Sequence, residues 1–270
     1  MKLSGRSYFA AKTNANFPAN RERLGLPTIQ GIVLLFDAES GVPLAVLDSI
    51  EITIRRTGAA TAAAAKKLAR SDSSTVTICG CGEQGRVQLE AIAGVLPIER
   101  AWAFDADPER AWRFAETRSR ELSIEVRPAV DLRAALRESD VVVTCTPSRS
   151  AIVAKADVLP GTFLAAVGAD SAGKQELEPA ILARGKVVAD SIDQCVEIGE
   201  LQHAISGGFL RREDVYAELA EIVDGVKPGR TSDDEITVFD STGTALEDVA
   251  AAAAVYEKAV ERSRGVRFLF

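Results

Sequence analysis

The spacing of apolar residues divides the chain into an extended N-terminal part, a central part of alternating strands and helices, and a helical C-terminus. Two apolar runs, 31–37 and 42–48, flank the sequence Glu39-Ser40-Gly41, and this pattern predicts a β-hairpin with glycine in its turn. An alanine-rich stretch then predicts a helix over about 54–70, with its basic residues near the end where the helix dipole favours positive charge. A second long helix is predicted over 246–264.

The central part contains six short runs rich in β-branched and aromatic residues, with helical stretches between most of them. Strands that alternate with amphipathic helices are typical of a parallel sheet covered on both faces. We therefore predict an α/β fold, with a doubly wound (Rossmann) parallel sheet in one domain and a second, smaller α/β domain. The predicted strands are 75–79, 101–105, 124–126, 141–145, 163–167 and 187–190, and the helices include 84–95 and 108–122.

A glycine-rich turn follows the first of these strands and opens a helix. It reads Gly80-Cys81-Gly82-Glu83-Gln84-Gly85, which is G-x-G-x-x-G between a strand and a helix. In this context the first glycine allows a tight turn, the second lets a pyrophosphate approach the backbone, and the third lets helix and strand pack closely. The helix N-terminus offers N–H groups to the phosphates. The residues predicted to bind the dinucleotide here are Gly80, Gly82, Glu83, Gln84 and Gly85.

An acidic residue at the end of the second strand extends this prediction. Asp105 lies twenty residues after Gly85, where a carboxylate can accept hydrogen bonds from the adenosine ribose. Such a carboxylate repels a 2′-phosphate, and no arginine occurs among residues 106–108, so we predict NAD rather than NADP. Asp107 is better placed to cap the helix that begins at Pro108.

Two further strand ends are predicted to border the same site. The strand over 141–145 leads into Thr146, and the strand over 163–167 ends at Val167 and leads into Asp170. Open α/β sheets bind ligands at the carboxyl ends of their strands. We therefore expect Thr146 and Asp170 to lie toward the nicotinamide end of the cleft.

Composition excludes several other classes of protein. Hydrophobic residues make up 47% of the chain and charged residues 26%, which is typical of globular domains. The net charge of −7 argues against nucleic acid or an anionic membrane as a partner. No apolar run approaches the length of a membrane helix, and the N-terminus lacks the apolar core of a secretory signal.

The cysteines and the single histidine limit the chemistry further. Four cysteines are too few for a disulfide scaffold, and with His203 as the single histidine and no second close pair of cysteines, no metal site is predicted. One histidine also disfavours zinc hydrolysis, a Ser-His-Asp triad and a Cys-His dyad. We expect His203 on a helix and all four cysteines to be buried, unpaired side chains of a cytoplasmic protein.

Several long stretches together resemble the ornithine cyclodeaminase/mu-crystallin family, which includes NAD(P)-dependent ornithine cyclodeaminases, alanine dehydrogenases and reductases of cyclic imines. The resemblance covers nearly the whole chain, and several motifs in order are more specific than the glycine turn alone. The matching stretches are KTNANFPAN, RRTGAAT, GCGEQG, FDADP, SDVVVTCTPS, AVGADSAGKQEL and ITVFDSTGTALEDVAAA.

The resemblance implies a substrate site. Lys12 matches the lysine beside the substrate carboxylate, and the predicted catalytic residues are this lysine and Asp170. Arg56 is similar to the carboxylate-binding arginine of the family, and Thr28 to its substrate-side threonine. From composition alone, Lys12 and Arg56 would instead be solvated surface charges.

The resemblance also implies roles at the coenzyme. Asp170 matches an aspartate that acts as acid and base beside the reacting amine, although its position also suits capping of the following segment. Lys174 and Ser241 match positions near the cofactor, and Asp240 could shape that end of the pocket. Thr146 and Val167, at the ends of their strands, are also predicted to bind the cofactor.

We predict a Rossmann NAD domain over residues 59–242. Residues 1–58 with 243–270 would form a substrate and dimerisation domain, which the resemblance implies is short at its N-terminus, and the active site would lie between the two. The predicted reaction is NAD-dependent oxidoreduction at the Cα–N bond of a small amino or imino acid, and the specific prediction is ornithine cyclodeaminase, acting as a homodimer.

Other functions remain open at this point. The same residues would serve an alanine dehydrogenase or a reductase of pyrroline-2-carboxylate. A protein of another class, a mu-crystallin-like dinucleotide binder with little or no catalysis, is a further alternative, and a purely structural dimer is the least favoured.

Overall fold

A computed structural model describes residues 1–17, 19–27 and 29–267 of the protein. The chain divides into two compact units, of which unit 1 comprises residues 1–56 and 244–270 and unit 2 comprises residues 57–243. The bounds predicted from the sequence, 1–58 with 243–270 and 59–242, differ from this division by two residues and by one residue.

The strands and helices follow the chain in an order that separates the two units. Unit 1 begins with β1 (Lys2–Leu3), β2 (Arg6–Asn16), α1 (Asn20–Leu24), β3 (Ile29–Asp37), β4 (Pro43–Asp48) and the first part of α2 (Ser49–Leu68). Unit 2 contains β5 (Thr75–Cys79), α3 (Glu83–Ala93), β6 (Arg100–Phe104), α4 (Pro108–Leu122), β7 (Glu125–Pro128), α5 (Leu132–Arg137), β8 (Val141–Thr144), β9 (Arg149–Val153), β10 (Phe163–Ala166), β11 (Gln175–Leu177), α6 (Pro179–Leu182), β12 (Lys186–Ala189), α7 (Ile192–Ile198), α8 (Glu200–Ser206), β13 (Ala217–Glu218), α9 (Leu219–Val223) and β14 (Thr237–Asp240). The chain returns to unit 1 in α10 (Ala245–Glu261).

Unit 1 is a four-stranded antiparallel sheet, ordered β1-β2-β3-β4, with α10 against one face. The hairpin predicted from the sequence is confirmed as β3 and β4. Side chains alternate along the strands, so one face contributes Tyr8, Val33 and Leu35 to a core that they share with Ala252 and Ala253 of α10. Alanine on that helix lets the helix and the sheet approach closely.

Helix α2 begins earlier than the sequence predicted. The expected start was near residue 54, whereas the helix begins at Ser49. The carboxylate of Asp48 accepts hydrogen bonds from the backbone N–H groups of Ile50 (2.7 Å) and Glu51 (3.4 Å), which satisfies the first turn. The β-branched residues in that turn hid the start, because they favour strands in a reading by composition.

Unit 2 is built on an eight-stranded sheet, ordered β13-β12-β14-β10-β8-β5-β6-β7, in which every described pairing is parallel. Successive residues of the central strands point to opposite faces, and each face has its own buried core. Helices α3 and α4 contribute to one core, and α6 and α8 to the other. The predicted doubly wound parallel sheet is therefore confirmed.

The order of the strands locates the ligand side of this sheet. From β5 the chain moves outward through β6 and β7, and then returns to β8 on the opposite side of β5. The connections therefore change direction between β5 and β8, and ligands bind such sheets in the crevice outside the carboxyl ends at this point. Strand β14, which sequence reading did not separate from its surroundings, lies between β10 and β12.

Other sequence expectations concern membranes and cysteines. Over residues 1–17, 19–27 and 29–267, none of the helices is long and apolar enough to cross a membrane. Cys79, Cys81 and Cys195 are buried and unpaired, whereas Cys145 is unpaired but only half-buried, which corrects the expectation that all four would be buried. Burial raises the pKa of the Cys81 thiol to about 12, which disfavours its reactive thiolate form.

Candidate functional site

The glycine turn after β5 has the geometry that its sequence predicted. Gly80 has φ of +106°, a backbone conformation that side chains disfavour. A Cβ atom on Gly85 would lie 2.0 Å from the carbonyl oxygen of Gly80, so that only glycine allows α3 to pack this close to the strand. A Cβ on Gly82 would instead meet no atom within 4 Å in the described part of the chain, which leaves an open approach to the backbone there.

The N-terminus of α3 is suited to an anion. Its N-cap residue is Gly82, which has no side chain to accept the N–H groups of the first turn. The Glu83 carboxylate is largely exposed and lies 3.0 Å from Arg86, so its side chain does not close this approach. Glu83, Gln84 and Gly85 can therefore contribute their backbone N–H groups to a bound diphosphate.

Asp105 holds the glycine turn against the end of β6. One carboxylate oxygen accepts a hydrogen bond from Cys81 N–H (2.9 Å), and the other accepts one from Asp107 N–H (3.0 Å). Each oxygen has a second lone pair, so the carboxylate can still accept from a ribose. The Asp107 side chain caps α4 through Glu109 and Arg110 N–H groups, which confirms the predicted cap.

Asp105 has an arginine nearby in the structure, although residues 106–108, which directly follow it, contain none. Arg110, one turn into α4, has its guanidinium 3.8 Å from the Asp105 carboxylate and is 47% exposed. Helical periodicity brings this cation back toward the strand end, and sequence adjacency alone does not reveal it.

Thr146 and Val167 follow β8 and β10 at the same edge of the sheet, and a residue that sequence analysis missed holds this region together. Thr146 donates its N–H (2.6 Å) and its hydroxyl (2.7 Å) to the carboxylate of Glu176. The same carboxylate accepts the N–H of Gly168 at 2.9 Å. Val167 is buried, with its N–H donated to the carbonyl of Thr144.

Asp170 and Lys174 form an ion pair in the loop after β10. Lys174 Nζ donates to Asp170 Oδ1 at 2.6 Å and to the carbonyl oxygen of Gly168 at 3.2 Å. The Asp170 side chain is 52% exposed, so its carboxylate can reach a ligand as well as the lysine. His203 lies on α8 as predicted, with Nε2 2.7 Å from the carbonyl oxygen of Lys174.

Ser241 and Asp240, at the end of β14, are more deeply buried. Ser241 donates its hydroxyl to Asp190 at 3.0 Å and its backbone N–H to the carbonyl of Ala166 at 2.9 Å. Asp240 accepts the backbone N–H groups of Glu200 (3.1 Å) and Leu201 (2.9 Å). The Ser241 hydroxyl is therefore engaged with the protein rather than directed at open space.

Burial changes the titration of three carboxyls in this region. It raises the pKa of Glu176, even though three hydrogen bonds from Thr146 and Gly168 favour its charged form. Burial and the neighbouring Asp240 raise the pKa of Glu200 to about 9. Burial, with a smaller contribution from nearby Asp190, raises the pKa of Asp240 to about 7, even though the N–H groups of Leu201 and Glu200 favour its charged form.

In unit 1 the predicted substrate-binding cations converge on α10. Lys12 Nζ lies 2.6 Å from Thr53 Oγ1 and 3.0 Å from a carboxylate oxygen of Asp248. Arg56 lies 2.9 Å from Glu247 through Nη1 and 3.3 Å from Asp248 through Nε. The side chains of Lys12 and Arg56 are only 21% and 12% exposed, so neither is a solvated surface charge.

Thr28, the third residue predicted on the substrate side, lies outside the described residues. Sequence analysis missed Glu247 and Asp248 as partners of the two cations. The signal was available, because two adjacent acids follow the N-cap Thr244 and therefore occupy the first turn of a helix. Over the described residues, no three histidine, cysteine or acidic side chains are grouped to hold a metal ion.

Comparison with known proteins gives a consistent set of relatives. The sequence model of the ornithine cyclodeaminase/mu-crystallin family matches residues 2–263. An alanine dehydrogenase from Archaeoglobus fulgidus is 42% identical over 264 residues, which cover 97% of this chain and 80% of the relative. An iminosuccinate reductase from Paracoccus denitrificans is 39% identical over 240 residues, which cover 89% of this chain and 74% of the relative.

Solved structures agree with these relatives. An archaeal alanine dehydrogenase dimer with bound NAD has a TM-score of 0.91 and 41% identity, with 97% of this chain and 81% of that chain covered. A pyrroline-2-carboxylate reductase from Thermococcus litoralis, in complex with NADH and L-proline, has a TM-score of 0.91, 38% identity, and coverage of 96% and 80%. A lysine cyclodeaminase has a TM-score of 0.86, 36% identity, and coverage of 97% and 75%.

Proposed function

The chain belongs to the ornithine cyclodeaminase/mu-crystallin family, and we propose that it is an enzyme that uses NAD to interconvert a small α-imino acid and the corresponding α-amino acid. The observation that carries this proposal is the half-exposed Asp170 carboxylate in the loop after β10. It lies at the carboxyl edge of the sheet that also bears the glycine turn, so a titratable group and a dinucleotide site share one edge.

The residues of unit 2 fit NAD. The open backbone at Gly82 and the N-terminus of α3 would receive the diphosphate, and the Asp105 carboxylate would accept the adenosine ribose hydroxyls. Similar chains with bound NAD and NADH support this choice. Bound NAD would supply the acceptor or donor of the hydride at the substrate Cα.

Asp170 is the proposed acid and base. Oxidation of an amino acid at Cα requires a neutral amine, and a carboxylate can take the proton that the ammonium form must lose. The same carboxylate offsets the positive charge of the iminium that forms when Cα loses its hydride. In the reverse direction it returns the proton to the nitrogen. Lys174, 2.6 Å away, would orient the carboxylate for this work.

Lys12 and Arg56 are the proposed ligands of the substrate carboxylate. A guanidinium presents planar donors that match a carboxylate, and an ammonium adds a compact charge. Their pairing with Glu247 and Asp248 holds both cations in place in the absence of substrate. Any α-amino or α-imino acid has the carboxylate that these residues would bind, so they do not determine the side chain that is accepted.

Two types of reaction are candidates for this protein. Simple reduction of an imino acid is supported by the likeness to alanine dehydrogenase, iminosuccinate reductase and pyrroline-2-carboxylate reductase. Cyclodeamination of ornithine, the specific prediction from the sequence, is supported by the likeness to a lysine cyclodeaminase. We propose imino acid reduction as the first candidate and ornithine cyclodeamination as the second.

Their use of coenzyme separates the two reactions. Imino acid reduction consumes one NADH per product, whereas cyclodeamination returns the hydride within one cycle and requires only catalytic NAD. The protein is incubated with NADH and either pyruvate plus ammonia or pyrroline-2-carboxylate, and NADH absorbance is followed. A parallel reaction contains ornithine and catalytic NAD, and it is assayed for proline and ammonia.

We expect NADH to be consumed with an imino acid. Proline from ornithine without net NADH would favour the second candidate instead. NADH binding without turnover of any of these compounds would contradict the proposal and indicate a dinucleotide-binding protein of the kind that the sequence left open.

We also propose that the protein forms a homodimer through the sheet face of unit 1 that α10 leaves uncovered. Phe9 and Phe36 stack there with ring centroids 4.7 Å apart, and Ile32 and Val46 are exposed on the same face. Contiguous exposed apolar surface marks interaction sites. Ile32→Glu should convert a dimer into a monomer in sedimentation experiments, and a monomeric unaltered protein would contradict the proposal.

A further inference from the structure

Glu176 is a buried glutamate that the proposed reaction does not use. Its carboxylate accepts hydrogen bonds from Thr146 N–H, Thr146 Oγ1 and Gly168 N–H, at 2.6, 2.7 and 2.9 Å. Thr146 follows β8 and Gly168 follows β10. One side chain therefore links two loops that come from neighbouring strands.

The backbone is shaped to admit this carboxylate. A Cβ on Gly168 would lie 2.5 Å from both carboxylate oxygens of Glu176, a distance that would displace the side chain. Glycine at this position thus allows the carboxylate to lie directly against the loop after β10. Any larger residue would separate the two.

Glu176 is itself held by a second buried carboxyl, and that one by a third. Glu200 accepts the backbone N–H groups of Glu176 (2.6 Å) and Leu177 (3.2 Å). Asp240 accepts the backbone N–H groups of Glu200 and Leu201 at the start of α8. Each carboxyl in this series fixes the backbone of the residue that carries the next.

The loops at the end of the series border the nicotinamide half of the dinucleotide site. The crevice opens between the carboxyl ends of β5 and β8, and Asp105 after β6 marks the adenosine side. The other half of a dinucleotide would therefore extend over β8 and β10, where Thr146 and Gly168 lie.

We propose that Glu176 is a positioning residue, which holds the Thr146 and Gly168 loops in the arrangement that receives the nicotinamide half of the coenzyme. This inference rests on the proposed function, because it requires that NAD bind to unit 2. Glu176 acts through the loop backbone and is not assigned a part in proton or hydride transfer.

Two ligands separate this role from a general contribution to folding. NADH contains the adenosine half and the nicotinamide half, whereas ADP-ribose retains the adenosine half and the diphosphate but lacks nicotinamide. Loss of a positioning residue should weaken NADH binding and leave ADP-ribose binding unchanged. Loss of a purely structural residue would weaken the binding of both ligands by a similar factor.

The experiment measures the Kd of each ligand by titration calorimetry on the full chain. For Glu176→Ala we expect NADH to bind about tenfold more weakly, with ADP-ribose unchanged within about twofold. Glu176→Gln retains one acceptor oxygen and should restore part of the difference. Gly168→Ala, which would displace the carboxylate, should resemble Glu176→Ala and provides the test if that variant does not fold.

Asp140→Asn is a matched control. Asp140 also accepts two backbone N–H groups, those of Ser74 (2.8 Å) and Thr75 (3.0 Å). It directly precedes β8, so it lies at the amino ends of the strands, away from the dinucleotide site. This variant should leave the ratio of the two dissociation constants unchanged.

This inference alone would be overturned if the Glu176 and Gly168 variants bound NADH and ADP-ribose more weakly by the same factor. It would also be overturned if these variants bound both ligands as tightly as the unaltered protein does. Failure of the unaltered protein to bind NADH would overturn the proposed function and this inference together. The unaltered protein therefore shows which of the two has failed.

Discussion

Two groups of ionisable side chains, one in each unit, are held in different ways. In unit 2, Glu176, Glu200 and Asp240 are buried and accept hydrogen bonds from backbone N–H groups. In unit 1, Lys12 and Arg56 pair with carboxylates on a single helix.

The buried carboxyls of unit 2 fix the backbone, whereas the ion pairs of unit 1 can exchange one partner for another. A buried carboxyl that accepts backbone N–H groups cannot leave them without a large desolvation cost, so it fixes the backbone. The ion pairs of Lys12 and Arg56 are made between side chains, so an incoming carboxylate can join or replace Glu247 and Asp248 as their partner without any change in the backbone. Binding and chemistry should therefore depend on the partly exposed groups, and the shape of the site on the buried ones.

The largest effect is expected at Asp170, a partly exposed carboxylate in the loop after β10 of unit 2. Asp170→Asn should lower kcat by about 10²- to 10⁴-fold, because the amide cannot exchange a proton with the substrate nitrogen. The Kd for NADH should stay unchanged. Asp193→Asn, which alters another exposed carboxylate paired with Arg212, is the control and should keep full activity. Unchanged turnover in Asp170→Asn would contradict the role.

A smaller effect is expected at Arg56 in unit 1. Arg56→Lys keeps the charge but loses the planar pair of donors, and kcat/KM should fall by about 10- to 100-fold, mainly through KM. Arg55→Lys changes the adjacent, more exposed arginine, which lies 3.6 Å from Glu51, and should have little effect on steady-state kinetics. Equal effects of the two substitutions would contradict substrate binding by Arg56.

Asp105 combines the two roles, because its carboxylate fixes the backbone of the glycine turn and would also contact the coenzyme. Asp105→Asn should weaken NADH binding by about tenfold and reduce the preference for NADH over NADPH. The 2′-phosphate would no longer meet a negative charge, and Arg110 would remain nearby. Asp107→Asn, which preserves the helix cap, is the control. Undiminished preference for NADH in Asp105→Asn calorimetry would contradict this role.

The smallest effect concerns stability at Glu200. Its pKa is raised to about 9 in the folded protein, so the folded state retains a proton that the unfolded state loses near the ordinary glutamate pKa. The free energy of unfolding should therefore fall as pH rises between these two values. Glu200→Gln cannot titrate, so urea unfolding at pH about 5.5 and about 8.5 should show a smaller difference than in the unaltered protein. Equal pH dependence in both proteins would contradict the shift.

Local sequence patterns were sufficient to predict the conformation of the glycine turn, the position of Asp105 at the end of β6 and the helix cap made by Asp107. In each case the partners lie in adjacent elements whose order the alternating pattern reveals. The contact between Arg110 and Asp105 was missed, because it depends on how a helix turns back toward the strand before it.

The buried carboxyls could not be predicted in the same way. The N–H groups that Glu200 and Asp240 accept belong to residues 23 to 40 positions away along the chain. No spacing rule connects such residues, since their proximity follows from the strand order. A weak signal existed, because an acid in a short apolar strand such as Thr237–Asp240 must have a partner for its charge.

The most direct test of NAD-dependent chemistry at the Cα–N bond uses NADH that carries deuterium at the transferred position of nicotinamide. The protein is incubated with this coenzyme and an imino acid, or with pyruvate plus ammonia, and the amino acid product is examined by mass spectrometry and NMR. Direct transfer predicts one deuterium bonded to Cα. An amino acid product without deuterium at Cα, or no product despite bound coenzyme, would contradict it.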